Sequence, residues 1–407
     1  MTTQRVLQGD VRAVLATLEP ESVNCVVTSP PYWGLRRYEG VGEDGIGLEP
    51  TVDLYIEHLV EVFEAVRRVL RSDGVMLVNL GDSYANDGKW GGSTGGKHVS
   101  ALHGQTGVGR GRRHTGLKPK DLCLVPERFA LAMQAAGWYV RDRIAWVKKA
   151  PMPESVHDRC TRSWEHIWMF TKSPHYWWDA EAVREKQAPA TVERGRYGWQ
   201  GRTDDRSNGA STGSSFQDMP STMGESKLTP ADGRRNLRNA WVLGPDPLGE
   251  IRANGKSYKH YAAFPSAIPR RAILAACPPY VCPTCRKPWV RLIDKTFVPQ
   301  ADVSLERGVK GAPGQKQVPD NHYTGTPRGS CSVATLGWAS VCSCDLSQDA
   351  CVPGLVLDPF AGSGTSLLVA RELGREGIGV ELSPHYCEMA EHRLGLVQPP
   401  MLPVTAL

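Results

Sequence analysis

Two short stretches of the chain combine residue types that could do chemistry. In the first, Val26-Val27-Thr28-Ser29-Pro30-Pro31-Tyr32-Trp33, a β-branched run meets two prolines and then two aromatic rings. Proline cannot donate to a sheet ladder, so Pro30 and Pro31 end the strand that begins near Asn24. Beyond them a stiff turn presents Tyr32 and Trp33, flat surfaces suited to stacking on a planar ligand. The second stretch, LVLDPFAGSGTSLLVARELGREGIGVEL, starts at Leu355. It reads as a strand ending at Asp358, a glycine turn, a helix from Thr365 and a further strand ending at Glu381. Gly362 and Gly364 let a ligand approach the backbone closely. An acid at the end of the following strand is placed to accept hydrogen bonds from ribose hydroxyls. The spacing departs from G-x-G-x-x-G, and the chain has no G-x-x-x-x-G-K-[ST] phosphate loop, so a nucleoside-bearing cofactor without a pyrophosphate cradle fits best.

The elements that must position these turns alternate. Apolar spacing predicts a helix over 11–18, a buried strand over 24–28, a helix over 54–71 stopped by Ser72-Asp73-Gly74, and a buried strand over 75–80. A helix near 126–136, strands near 138–147 and 165–171, and helical character at 272–276 follow. The strand–helix–strand over 354–358, 365–373 and 377–381 completes the pattern. Such alternation predicts a parallel α/β sheet, with ligands at the carboxyl ends of its strands.

The 407 residues allow one large domain or two ordinary ones, and the net charge of +5 is compatible with a nucleic-acid partner without requiring one. No apolar run reaches membrane-spanning length, so no membrane partner is expected. The opening MTTQRVLQGD lacks the apolar core of a signal peptide, so a cytoplasmic location is expected. Eleven cysteines in a reducing compartment argue against a disulfide framework. Cys282-x-x-Cys285 and Cys342-x-Cys344 supply four thiolates for a structural zinc. The second pair has one spacer, and Cys277, Cys331 and Cys351 are substitute ligands; the plain alternative is a set of free thiols. The stretch 85–120 reads as a basic loop, with Lys89, Lys97, Arg110, Arg112, Arg113, Lys118 and Lys120. With the Arg-rich 186–258, where Tyr197 and Trp199 interleave, it could neutralise phosphates. His98, His103 and His114 read as loop histidines rather than ligands. Asp82, after the 75–80 strand, lines a cofactor pocket or caps a turn. Cys25 lies inside a strand and reads as core. A second Pro-Pro-Tyr, at Pro278-Pro279-Tyr280, follows a helix and reads as a structural entry to the cysteines.

DPFAGSGT together with TSPPYW resembles the S-adenosylmethionine-dependent DNA amino-methyltransferases, which methylate N4 of cytosine or N6 of adenine. The Pro-Pro-Tyr motif comes first and the glycine motif last, which resembles the β-type order. LQGDVRAVLATLEPESVNCVVTSPPY, DRIAWVKKAPMP, RSWEHIWMFTKSPHYWWD and HYAAFPSAIPRRAIL match further family segments. The resemblance implies an α/β fold with a doubly wound, Rossmann-like methyltransferase sheet. The sheet would be circularly permuted, with a target-recognition insertion, and the cysteine spacing adds a small zinc-binding insertion. The implied divisions are a catalytic half over 1–184, target recognition over 185–258, a return to the core over 259–276, a cysteine-rich insertion over 277–353, and a cofactor half over 354–407. It implies that Ser29 and the carbonyl of Pro30, stiffened by Pro31, accept a hydrogen bond from the target amine. Tyr32, aided by Trp33, would stack on a flipped base. Asp10, His260, Phe264, Asp358, Pro359, Phe360, Gly362, Gly364, Thr365 and Glu381 would surround S-adenosyl-L-methionine. Transfer would be direct, with no cysteine nucleophile. The Ser-Pro-Pro-Tyr form leans toward N4 of cytosine, with N6 of adenine as the alternative. An RNA or protein-glutamine methyltransferase and a non-catalytic zinc-containing DNA-binding protein are the rival readings. The implied partners are double-stranded DNA, a second copy of the chain as a homodimer, and a cognate restriction endonuclease.

Overall fold

The computed structural model describes residues 2–34, 45–85, 117–189, 233–246, 251–253, 256–258, 265–299 and 329–396. The chain divides into two compact units. One comprises Met1–Val183, Arg238–Val290 and Ser340–Leu407; the other comprises Arg184–Leu237 and Arg291–Ala339.

In the first unit, strand β1 (Gln4–Gln8) leads into helix α1 (Val11–Thr17), then β2 (Val23–Thr28), α2 (Val52–Val69) and β3 (Leu70–Leu80). Helix α3 (Val125–Ala135) precedes β4 (Tyr139–Lys148) and β5 (Trp164–Thr171). In the second unit β6 (Glu185–Lys186) pairs with β7 (Arg234–Arg235). Back in the first, β8 (Ala240–Leu243) is followed by the β9 (Ile251–Ala253) and β10 (Lys256–Tyr258) hairpin and by α4 (Ala267–Ala276). Strands β11 (Val290–Pro299) and β12 (Gly329–Ala339) pair with each other. The chain then closes with β13 (Leu355–Asp358), α5 (Thr365–Glu372), β14 (Glu376–Glu381) and α6 (Pro384–Arg393).

Every residue of β2 is buried, which a strand tolerates only when both faces are covered. It lies inside an eight-stranded sheet of order β1-β14-β13-β2-β3-β5-β4-β8. The five strands from β1 to β3 in that order run parallel, and β5 returns antiparallel between β3 and β4. The register Val356↔Cys25 and Leu357↔Val26 joins a strand near the chain's beginning to one near its end, the permuted order that the motifs implied. Five parallel carboxyl ends therefore meet along one edge. Helix α2 buries Tyr55, Leu59, Val62, Phe63, Val66 and Val69 against the sheet, where Phe63 meets Phe129 at 5.3 Å between ring centroids. The Thr51 hydroxyl caps α2 by accepting from the backbone N–H of Leu54 at 3.2 Å.

Strand β3 starts earlier than the sequence pattern suggests. Leu70 pairs with Val23 before a register shift, and the chain runs through Ser72-Asp73-Gly74 as strand. An Arg71–Asp73 ion pair at 2.7 Å holds that polar stretch. Residues 86–116 of the expected basic loop, residues 190–232 of the expected recognition stretch with Tyr197 and Trp199, and His260 and Phe264 lie outside the described residues. At the loop's end Lys118 pairs with Asp121 at 3.4 Å and Lys120 with Asp158 at 2.6 Å. Among the described residues no helix is long and apolar enough to cross a membrane.

Candidate active site

The edge where the strands end gathers both informative turns. The Thr28 hydroxyl, last in β2, donates to Asp358 Oδ1 at 2.6 Å, and the Ser366 hydroxyl donates to Asp358 Oδ2 at 2.7 Å. Phe360 N–H donates to Oδ1 at 3.1 Å. Asp358 is thus engaged inside the protein and 1 % exposed, and burial pushes its carboxyl up to about 6. It shapes the turn and ties it to the Ser29 corner. Pro359 is buried, Phe360 packs on the core, and the Thr365 hydroxyl accepts from Arg393 at 3.0 Å.

The two glycines of the turn serve different ends. Gly362 is half-buried with φ +50°, and its N–H donates to Glu381 Oε2 at 2.9 Å. Gly364 is left-handed at φ +74°, and a Cβ there would sit 3.1 Å from Ala390 Cβ, so it packs α5 against α6. The second Glu381 oxygen accepts from Ser383 N–H at 2.8 Å. Burial raises the Glu381 carboxyl above its ordinary range. Gly9 N–H donates to the Glu381 carbonyl at 3.0 Å, which puts Asp10 beside that residue. The Asp10 carboxylate caps α1, accepting from Arg12 N–H at 2.9 Å and Ala13 N–H at 3.4 Å.

On the other side of Thr28, Pro30 is buried and the Pro31 carbonyl accepts from the Tyr55 hydroxyl at 2.7 Å, so the corner is clamped. Tyr32 is half-buried, and its hydroxyl donates to Glu165 Oε2 at 2.6 Å, with Asn79 Oδ1 at 3.2 Å. The Ser29 side chain lies beside the Tyr32 hydroxyl. Lys148 Nζ pairs with the other Glu165 oxygen. Burial, and then the Glu165 carboxylate, push the Tyr32 hydroxyl well above its ordinary range, so it stays a proton donor. Glu165 opens β5 and Lys148 closes β4. Lys148 and Glu165 lie in the family-like segments DRIAWVKKAPMP and RSWEHIWMFTKSPHYWWD, but the sequence reading assigned no site role to them or to Asn79.

Trp33 corrects an expectation. It is 1 % exposed, and its indole N–H donates to the Glu49 carbonyl at 2.9 Å, so it anchors the loop from within the core and offers no stacking face. Asp82 takes its plainer role: Oδ1 accepts from Ser83 at 2.8 Å and from Val125, at the start of α3, at 3.0 Å. Cys25 is fully buried, and burial pushes its thiol well up, which removes it as a nucleophile. The sulfurs of Cys282, Cys285, Cys342 and Cys344 lie within 4.8 Å of one another. Cys277 is buried elsewhere, beside the backbone of Gly354.

A parallel sheet with a glycine turn and a ribose-placed acid at one strand end, and a proline-braced tyrosine at the next, defines a nucleoside-cofactor transferase acting on a planar acceptor. A DNA methylase family model, that of the N6/N4 methyltransferases, matches residues 23–280 and 349–392. The chain belongs to this DNA methylase family. It is 30% identical to the type II methyltransferase M.SmaI of Serratia marcescens over 96% of this chain and 90% of that protein. It is equally 30% identical to M.Cfr9I of Citrobacter freundii, over 96% of this chain and 87% of the relative. Among solved structures, the PvuII DNA methyltransferase (cytosine-N4-specific) aligns with a TM-score of 0.48 at 15% identity, covering 98% of this chain and 89% of that one.

The methyl donor of this class is S-adenosyl-L-methionine, and the residues present fit it. Gly362 and Ser383 each hold one Glu381 oxygen by a backbone N–H, which orients the carboxylate and leaves lone pairs for a ribose diol. The half-buried Gly362 offers close backbone approach at the same strand ends.

Proposed function

We propose that this DNA methylase transfers methyl to the exocyclic N4 amine of cytosine in duplex DNA, after flipping the base out of the stack. The observation that carries the reading is the Thr28–Asp358 hydrogen bond at 2.6 Å, which seats the Ser29-to-Tyr32 corner beside the Gly362-to-Glu381 turn. S-adenosyl-L-methionine, when bound, supplies an electrophilic methyl carbon. The chain's own task is to make a poor nucleophile attack it. An aromatic amine shares its lone pair with the ring, and a hydrogen bond accepted from its N–H draws the nitrogen toward tetrahedral geometry. A hydroxyl accepts well only when its own proton points elsewhere. Tyr32 gives its proton to Glu165, which leaves the Tyr32 oxygen able to take the Ser29 proton; with that proton turned aside, the Ser29 lone pairs are left for the amine. The braced Pro30–Pro31 corner keeps this geometry fixed before substrate arrives.

Two features favour cytosine over adenine. The acceptor is a hydroxyl, in the Ser-Pro-Pro-Tyr form. The Lys148 ammonium, held by Glu165, is a donor cation that suits the O2 and N3 acceptors of cytosine, where adenine presents N1 and a C2–H. Mass spectrometry of nucleosides from a host expressing the chain should show N4-methylcytosine; N6-methyladenine alone would overturn the choice of base, and no methylated base would favour a binding protein. The type II relatives support a cognate restriction endonuclease as partner. Glu165→Gln keeps the shape of the network and removes its charge. Its single-turnover methylation rate should fall about tenfold to a hundredfold at unchanged cofactor affinity, and a wild-type rate would remove Glu165 from the site.

A further inference from the structure

The four clustered cysteines take no part in the chemistry above, and their arrangement has its own logic. Their sulfurs lie within 4.8 Å of one another, and all four are free thiols. A tetrahedral zinc with bonds of about 2.3 Å brings its sulfurs to roughly 3.8 Å, a small contraction from this spacing. Each pair is folded as a turn that aims backbone donors at sulfur. Thr284 and Cys285 N–H groups point to the Cys282 sulfur, and Cys344 N–H points to that of Cys342. Such donors stabilise a thiolate at a metal. The residue after each second cysteine is left-handed: Arg286 at φ +61° and Asp345 at φ +46°. Neither is glycine, so both turns hold a conformation that L side chains rarely adopt. The first turn closes on itself, with Arg286 N–H donating to the Cys282 carbonyl at 2.9 Å and Cys282 N–H to the Lys287 carbonyl at 3.0 Å. Beside it Val281 and Val352 exchange backbone hydrogen bonds at 2.8 and 3.0 Å, bringing the incoming and outgoing chain together.

We propose that Cys282, Cys285, Cys342 and Cys344 bind one structural zinc ion that closes the base of the segment 286–341, which contains β11 and β12. On binding, four thiols release their protons and the ion gains four Zn–S bonds, with no change of oxidation state. Four thiolates select zinc over magnesium or calcium, and iron is the rival for such a set. Because the two pairs sit at the ends of one long segment, the ion acts as a crosslink that shortens the accessible unfolded chain.

The test is elemental analysis of the purified full-length chain with replicate samples from iron- and zinc-supplemented cultures. About one zinc per chain is expected; iron in its place, or no metal after reconstitution under reducing conditions, overturns the assignment. Cobalt substitution of the intact protein should give the visible bands of a tetrahedral thiolate site, a readout that needs no variant. Cys285→Ser and Cys344→Ser should lose the metal, whereas Cys351→Ser and Cys160→Ser should keep it. The reverse pattern overturns the ligand set. Releasing the metal should speed proteolytic cleavage between Cys285 and Cys342, and an unchanged cleavage pattern would refute the crosslink.

Discussion

Gly81→Ala should inactivate the enzyme about as completely as loss of Tyr32 itself. Gly81 follows β3 directly, and a Cβ built on it would fall 2.8 Å from Tyr32 Cδ2 and nearer still to Cε2. Those are atoms of a rigid ring, fixed at one end by the backbone and at the other by the Tyr32–Glu165 hydrogen bond of 2.6 Å. The added methyl can be housed only by swinging the ring out, which breaks that bond and moves the Tyr32 hydroxyl away from Ser29. A misplacement of about 1 Å at a reacting group costs on the order of 10²-fold in rate, and the lost base stacking adds roughly 1–3 kcal/mol. Single-turnover methylation should therefore fall by about 10²-fold or more, with cofactor affinity retained. The double change with Tyr32→Ala should be no slower than Tyr32→Ala alone, since both remove the same contact. A Gly81→Ala enzyme of normal rate would show that the ring is not held where catalysis needs it.

Asp358 gives the second large effect, on stability. Burial pushes its carboxyl from the ordinary 3.8 up to about 6. The folded chain then holds this proton at higher pH than the unfolded chain does. Stability is therefore greatest below pH about 4 as far as this group is concerned, falls as pH rises through about 6, and stays lowered above it. The gap corresponds to about 3 kcal/mol. Asp358→Asn carries no charge to bury. Its oxygen can still accept from Thr28 and Phe360, while its amide can donate to Ser366, whose hydroxyl has the Val27 carbonyl 3.3 Å away. Urea denaturation should show the variant gaining on the wild type between pH 5 and 7.5 by about 1.4 kcal/mol, roughly half of the full gap, the rest accruing below pH 5. A stability difference independent of pH would mean that the carboxylate is not ionised against its surroundings.

Much of this arrangement was legible before any coordinates. Two prolines after a β-branched run could only be a strand end, and the acid-to-acid spacing from Asp358 to Glu381 could only be a strand–helix–strand passage. What stayed hidden follows from physics that acts across space. Strand β1 is five residues of mixed polarity, recognisable only because β14 lies beside it. Strand β8 joins the far edge through its pairing with β4. Helix α6, PHYCEMAEHR, is mostly polar and buries only Cys387, Met389 and Ala390, so no apolar stripe announces it. The β11–β12 pair was hidden behind the cysteines that flank it. Trp33 looked like a stacking surface because sequence says nothing about which way a ring turns. Glu165 and Lys148 looked like ordinary strand charges, and only the antiparallel register of β4 and β5 puts them next to Tyr32.

The bond between Thr28 and Asp358 joins residues 330 positions apart. Its closure needs the sheet's middle to be completed by a segment made long after the corner it completes, and long-range pairing of this kind is intrinsically slow. A nascent chain therefore exposes its base-side corner until that segment is made, with nothing to hold a methyl donor against it. Methyl transfer waits for residues 355–381, and products truncated before them, however well their first half folds, stay silent.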